Sequence, residues 1–64
     1  MFVNGLQVTL DKSISISEFL KQEGYNVDRV ALEKNHIIVP QKNFDTEHLT
    51  DDDRVEIVQF VGGG

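Results

Sequence analysis

Gly62, Gly63 and Gly64 close the sequence directly after Val61. This run would hold the α-carboxylate of Gly64 on a stalk without side chains. Glycine has no Cβ, so such a stalk takes almost any backbone conformation and can pass through a narrow channel. Three extended residues reach roughly 10 Å. A carboxylate presented in this way suits delivery into the active site of another protein. A frayed terminus fits the same three residues. What separates the two is the pattern that runs up to Val61.

The other groups capable of chemistry are weaker candidates. Glu47, His48, Asp51, Asp52 and Asp53 are oxygen- and nitrogen-rich, but their spacing is not the Asp-x-Asp-x-Asp-Gly of a calcium loop. They read as a solvated acidic turn, and no metal site is expected. His36 and His48 are the only histidines, and neither has an i, i+4 partner of the kind zinc needs. Ser13, Ser15 and Ser17 alternate near a helix start, where capping accounts for Ser15, and no Ser-His-Asp arrangement is evident. No helix follows the terminal glycines, so they are not a phosphate-cradling loop.

The composition narrows the field further. Sixty-four residues form one domain at most, with a core too small to enclose a deep catalytic cleft. This points to a module that works on or inside a partner rather than to a self-contained enzyme. The chain has no cysteine, which excludes thiolate nucleophiles, disulfide frameworks and iron–sulfur ligation. The net charge of −5 disfavours nucleic acid and favours a basic protein surface. No apolar run approaches the roughly 20 residues of a membrane helix, and no signal-peptide pattern is present. The expectation is a soluble, cytoplasmic protein that binds neither membrane nor nucleic acid.

These residues imply a definite set of elements to hold the terminus. Asn4-Gly5 between Met1-Phe2-Val3 and Leu6-Gln7-Val8 is a hairpin signal, since both turn residues accept positive φ. A two-residue loop pairs Val3 with Leu6 and Met1 with Val8, leaving Phe2 and Gln7 on the other face. Ser15 and Glu18 fit a capping box, with Ile14 and Phe19 as its hydrophobic staple. The helix then spans about 16–23, buries Ile16, Phe19 and Leu20, and stops at Gly24. Val30-Ala31-Leu32 opens a third strand that breaks at Asn35. Ile37-Ile38-Val39 makes a fourth, stopped by Pro40, and His36 falls in the turn between them. Residues 41–50 read as irregular, anchored by Phe44 and Leu49. Asp51-Asp52-Asp53 is a turn, and residues 54–61 form the last strand.

In that last strand Val55 and Ile57 face the helix, while Arg54, Glu56, Val58 and Phe60 face away. The outward side thus changes from charged to apolar as it nears the glycines. If this strand lies beside the first, Phe2 joins Val58 and Phe60. An exposed apolar cluster in so small a domain marks a contact surface. Phe2, Val58, Phe60 and Val61 are therefore the candidate partner-binding residues. A covering loop or a bulge in the strand would also account for them.

The order β-β-α-β-β-β with a diglycine terminus resembles the ubiquitin-like β-grasp fold, and within it the ThiS family of sulfur carriers. The resemblance rests on Asn4-Gly5, on residues 15–20, 30–35 and 37–40, and on residues 51–64. One departure is Asp52, where the family usually has glycine, which questions the turn geometry. The resemblance implies an α+β fold with a single mixed sheet and one helix packed on one face. Residues 1–61 would be the β-grasp domain and residues 62–64 a flexible glycine tail. It also implies a sulfur-carrying terminus at Gly64, with Gly62 and Gly63 as its stalk. A ThiF-like, E1-like adenylyltransferase would activate Gly64 with ATP, and a persulfide donor would convert it to a thiocarboxylate. A ThiG-like thiazole synthase would then take the sulfur. The protein would be a cosubstrate rather than an enzyme, with no bound cofactor. Two other readings remain: a MoaD-like subunit of molybdopterin synthase and a ubiquitin-like modifier of lysines.

Overall fold

Residues 1–61 are described by the structure, a computed structural model. The hairpin forms as its turn chemistry requires. Strands β1 (Phe2–Val3) and β2 (Leu6–Gln7) pair antiparallel, with Phe2 opposite Gln7 and Val3 opposite Leu6. Asn4 and Gly5 between them both take positive φ, 51° and 82°. Val8 donates to the Met1 carbonyl at 2.8 Å, which extends the ladder past the assigned strand ends.

Helix α1 (Ile16–Gln22) begins where the cap signals place it. Ser15 accepts from the Glu18 N–H at 3.1 Å. The two preceding amides find carbonyls in a later loop, Ile16 N–H on Glu47 and Ser17 N–H on Phe44, each at 2.9 Å. The first turn therefore has partners for its otherwise orphaned donors. Glu23 is the C-cap, and Gly24 follows at φ 82°. Gly24 N–H reaches the Lys21 carbonyl and Tyr25 N–H reaches the Leu20 carbonyl, the paired bonds of a Schellman ending.

The five-stranded sheet has the order β2-β1-β7-β4-β5, with β4 at Val30–Lys34, β5 at Ile37–Val39 and β7 at Arg54–Gln59. β7 runs parallel to β1 and antiparallel to β4, so the sheet is mixed. Asn35 and His36 turn the chain between β4 and β5 with φ of 53° and 69°. The fold is α+β and β-grasp, as the order of elements implied.

Two features differ from the sequence expectation. The stretch read as irregular contains a short strand, β6 (His48–Leu49), paired with β3 (Ile14–Ser15) just before the helix. Two residues on each side are too few to show a period-2 pattern. The last strand ends at Gln59 rather than Val61. Beyond it a single bond continues the ladder, from Phe60 N–H to the Arg29 carbonyl at 2.7 Å.

The helix packs Ile16, Phe19 and Leu20 against Val30, Leu32, Val39, Val55 and Ile57 from the sheet. Phe44 joins this core from the loop after β5, Leu49 joins it from β6, and Met1 is buried with them. Each fully buried aliphatic or aromatic side chain of this kind stabilises by about 1.5–3 kcal/mol relative to exposure. The Asp51-Asp52-Asp53 turn closes with Asp53 N–H on the Thr50 carbonyl at 3.1 Å. Asp52 is not among the residues with positive φ, so this turn has no need of the family's glycine.

Candidate functional site

β7 lies between β1 and β4 in the middle of the sheet, and its C-terminal end leads into the glycines. It is held on both sides. Val30 to Lys34 pair with Gln59 to Val55, and Phe2 and Val3 lie beside Arg54 and Val55. A second device secures the side of β7 that β1 is too short to cover. The Asn4 side-chain amide donates to the Ile57 carbonyl at 3.1 Å and accepts from the Ile57 N–H at 2.7 Å. One side chain thus imitates a strand residue. Asn35 does something similar at the start of β7, accepting from the Arg54 N–H and donating to Asp53, each at 2.9 Å. Neither role has a pattern that a sequence reading of turn chemistry would pick out. A clue is the use of Asn rather than Gly at the first position of both turns.

The candidate contact residues fall into two places. Val58 and Phe60 lie near the exit of the chain and are 58% and 56% exposed, and Val61 beyond them is 92% exposed. Phe2 does not join them. It faces the same side of the sheet, but the parallel register sets it beside Arg54. Four residues of strand, about 13 Å, separate that row from Val58. The Arg54 guanidinium carbon sits 5.0 Å from the Phe2 ring centroid, a cation–π arrangement. The expectation that Phe2 extends the apolar cluster near the glycines is therefore corrected by register. Alternation fixes which face a side chain takes, but only the docking of two distant strands fixes its height. Gly62, Gly63 and Gly64, the proposed stalk and sulfur-carrying terminus, lie outside the described residues.

The acidic turn is a structural lock. Asp51 accepts from the Leu10 N–H at 2.9 Å and from the Met1 ammonium at 3.0 Å. These bonds hold its carboxyl below the ordinary aspartate range, the Leu10 backbone bond contributing most. For Asp53 partial burial pushes upward most strongly. Bonds from the Thr50 N–H and the Asn35 amide, the Lys34 charge and the Thr50 hydroxyl together outweigh it, so the net direction is down. Among the described residues no group of three or more His, Cys, Asp or Glu side chains is placed to hold a metal ion.

An open cavity of about 420 Å³ lies at the β5 edge, lined by Lys34, Ile37, Val39, Pro40 and Glu47 among others. The Lys34 ammonium there donates to the His48 carbonyl at 2.9 Å and lies 3.5 Å from the Glu47 carboxylate. These polar groups are engaged with each other. The region around Val58 and Phe60 offers apolar surface and a backbone exit. Such a surface can pack against apolar groups of another molecule.

Comparison with known proteins gives a consistent result. The ThiS family model matches residues 1–64. A crystal structure of the thiamine biosynthesis protein ThiS from Geobacter metallireducens superposes with a TM-score of 0.80 at 32% identity, covering 98% of this chain and 96% of that one. The protein named "Uncharacterized protein ycf40" in Pyropia yezoensis is 37% identical over 62 residues, covering 97% of this chain and 87% of its own length. A thiazole synthase of Paramagnetospirillum magneticum is 33% identical over 64 residues, which is all of this chain but 20% of that protein.

Proposed function

The chain belongs to the ThiS family, and from that premise we propose that it is a sulfur carrier of thiamine biosynthesis whose working group is the Gly64 carboxylate. The observation that carries this reading is the agreement of family, fold and the glycine run that follows the last strand. A ThiS-like β-grasp body ends its central strand at Gln59, two residues short of the run Gly62-Gly63-Gly64.

The chemistry follows from the weakness of a carboxylate as an electrophile. Its charge repels a nucleophile, and oxide is a poor leaving group. A ThiF-like, E1-like adenylyltransferase joins the Gly64 carboxylate to the α-phosphate of ATP and releases pyrophosphate. The terminal sulfur of a persulfide donor attacks the acyl carbon and expels AMP, forming an acyl disulfide. A thiol then reduces the S–S bond. The acyl sulfur leaves as the Gly64 thiocarboxylate, and the donor sulfur and the thiol end in a disulfide. The thiocarboxylate is a soft nucleophile that a ThiG-like thiazole synthase takes into the ring.

On this reading the carrier contributes the reacting atom, the stalk Gly62-Gly63 and the contact residues Val58, Phe60 and Val61, but no acid, base or metal. It is a cosubstrate of cytoplasmic partners and not itself an enzyme. The alignment of the whole chain with one fifth of a thiazole synthase supports a ThiG-like partner over a molybdopterin synthase. Deletion of Gly63 and Gly64 provides the test. The shortened chain should fold with an unchanged melting temperature and give no thiazole in a reconstituted system. Thiazole formation by the shortened chain would overturn the proposal.

A further inference from the structure

The outer face of the sheet carries a charge arrangement that the free domain leaves unresolved. Glu33 of β4 and Glu56 of β7 are directly opposite in the antiparallel pairing, so both carboxylates stand on the same face. Like charges in this position destabilise a sheet. Neither has an ion-pair partner among the described residues, where the pairs are Met1–Asp51 and Lys34–Glu47. The nearby cations are committed elsewhere. Arg54, two residues along the strand on the same face, lies over Phe2. Lys34 points to the other side of β4, toward His48 and Glu47.

Apolar side chains flank the two carboxylates. The next row toward the chain exit is Ala31 opposite Val58, and Ile38 stands beside Glu33 on the edge strand with 71% exposure. An acidic pair with an apolar border is costly in water and suited to a partner that brings a cation and an apolar rim. The net charge of −5 adds attraction at longer range.

We propose that this face docks a protein surface that places an arginine or lysine over the Glu33–Glu56 pair and apolar side chains over Ala31 and Val58. This rests on the carrier reading, and the partner is the enzyme that activates Gly64. A guanidinium fits best, because its planar fork can bond two carboxylates at once. The strand rise fixes the spacing. Successive rows on one face are about 7 Å apart, so the partner cation lies about 13 Å from the Phe60 row. It therefore binds outside the channel that takes the glycines, as an address separate from the reacting end.

The test is the double variant Glu33→Gln/Glu56→Gln in ATP–pyrophosphate exchange catalysed by the E1-like adenylyltransferase of the same source. The carrier KM should rise about five- to tenfold, with kcat within about twofold, because docking is lost and chemistry is not. The KM of the unaltered chain should rise with added salt, and that of the variant should respond much less. The melting temperature of the variant should rise, since the repulsion is gone. Glu18→Gln/Glu23→Gln, which removes two charges from the helix on the opposite side of the sheet, should leave KM near that of the unaltered chain. An unchanged KM in the Glu33/Glu56 variant, or a KM raised equally in both double variants, overturns the docking inference alone. Absence of exchange with the unaltered chain overturns the carrier reading and this inference with it.

Discussion

The amide of Asn4 makes the sharpest structural prediction, because a single side chain closes two bonds to one residue of the central strand. The perturbation is Asn4→Gly. Glycine accepts the φ of 51° that the hairpin requires, so the turn survives and only the bonds to Ile57 are lost. A net 0.5–1.5 kcal/mol for each hydrogen bond gives a loss of about 1–3 kcal/mol. For a domain of this size each kcal/mol moves the melting temperature by about 4–8 °C. The total stability of such a chain is about 3–10 kcal/mol, so the loss is a large fraction of it. Urea denaturation followed by circular dichroism measures it, with the midpoint falling and the slope unchanged. Amide exchange should also quicken at Ile57, whose N–H donates to Asn4. Asn4→Asp separates the two bonds, since a carboxylate can still accept from the Ile57 N–H but sets a charged oxygen against the Ile57 carbonyl. It should be no more stable than Asn4→Gly. If Asn4→Gly costs less than about 0.5 kcal/mol, the amide does not act as a substitute strand residue.

Other perturbations follow from the same geometry. His36→Gly relieves a non-glycine residue at φ 69° in a two-residue hairpin loop and should stabilise by about 0.5 kcal/mol in the same denaturation assay. Asp51 and Asp53 are held below the ordinary aspartate range, so their contribution is complete above about pH 4 and is lost as pH falls through the lower folded values. Asp53→Asn should therefore flatten the acid side of the stability profile, read from urea midpoints between neutral pH and strong acid. Phe60→Asp should weaken binding to the activating enzyme in a titration by about tenfold or more, while changing folding stability by less than about 0.5 kcal/mol, because the ring is largely exposed.

Much of the body was legible before the structure. Asn4-Gly5 set the hairpin register because only a few residue types tolerate that turn. Ser15 and Gly24 bounded the helix because each answers a backbone requirement at a helix end, Ser15 by accepting from the Glu18 N–H and Gly24 by its positive φ. Val55 and Ile57 faced inward by simple alternation. What stayed hidden depended on distant segments. The parallel register of β1 on β7, which moved Phe2 away from Val58, follows from how the whole hairpin docks. The β3–β6 ladder is two residues long and leaves no periodicity. The roles of Asp51 and Asp53 needed partners more than ten residues away in sequence, Leu10 for one and Asn35 for the other. The change from charged to apolar along one side of β7 placed Val58 and Phe60 on the outer face, and both are exposed there.

The central claim is that the Gly64 carboxylate exchanges an oxygen for sulfur while the folded body is unchanged. Intact-mass spectrometry tests this most directly, after incubation with the E1-like adenylyltransferase, ATP and a persulfide donor with thiol. The account predicts a mass gain equal to replacement of one oxygen by sulfur, dependent on ATP and confined to the C-terminal fragment. A mass that stays unchanged while the enzyme activates a known carrier, or a gain located elsewhere in the chain, would contradict it.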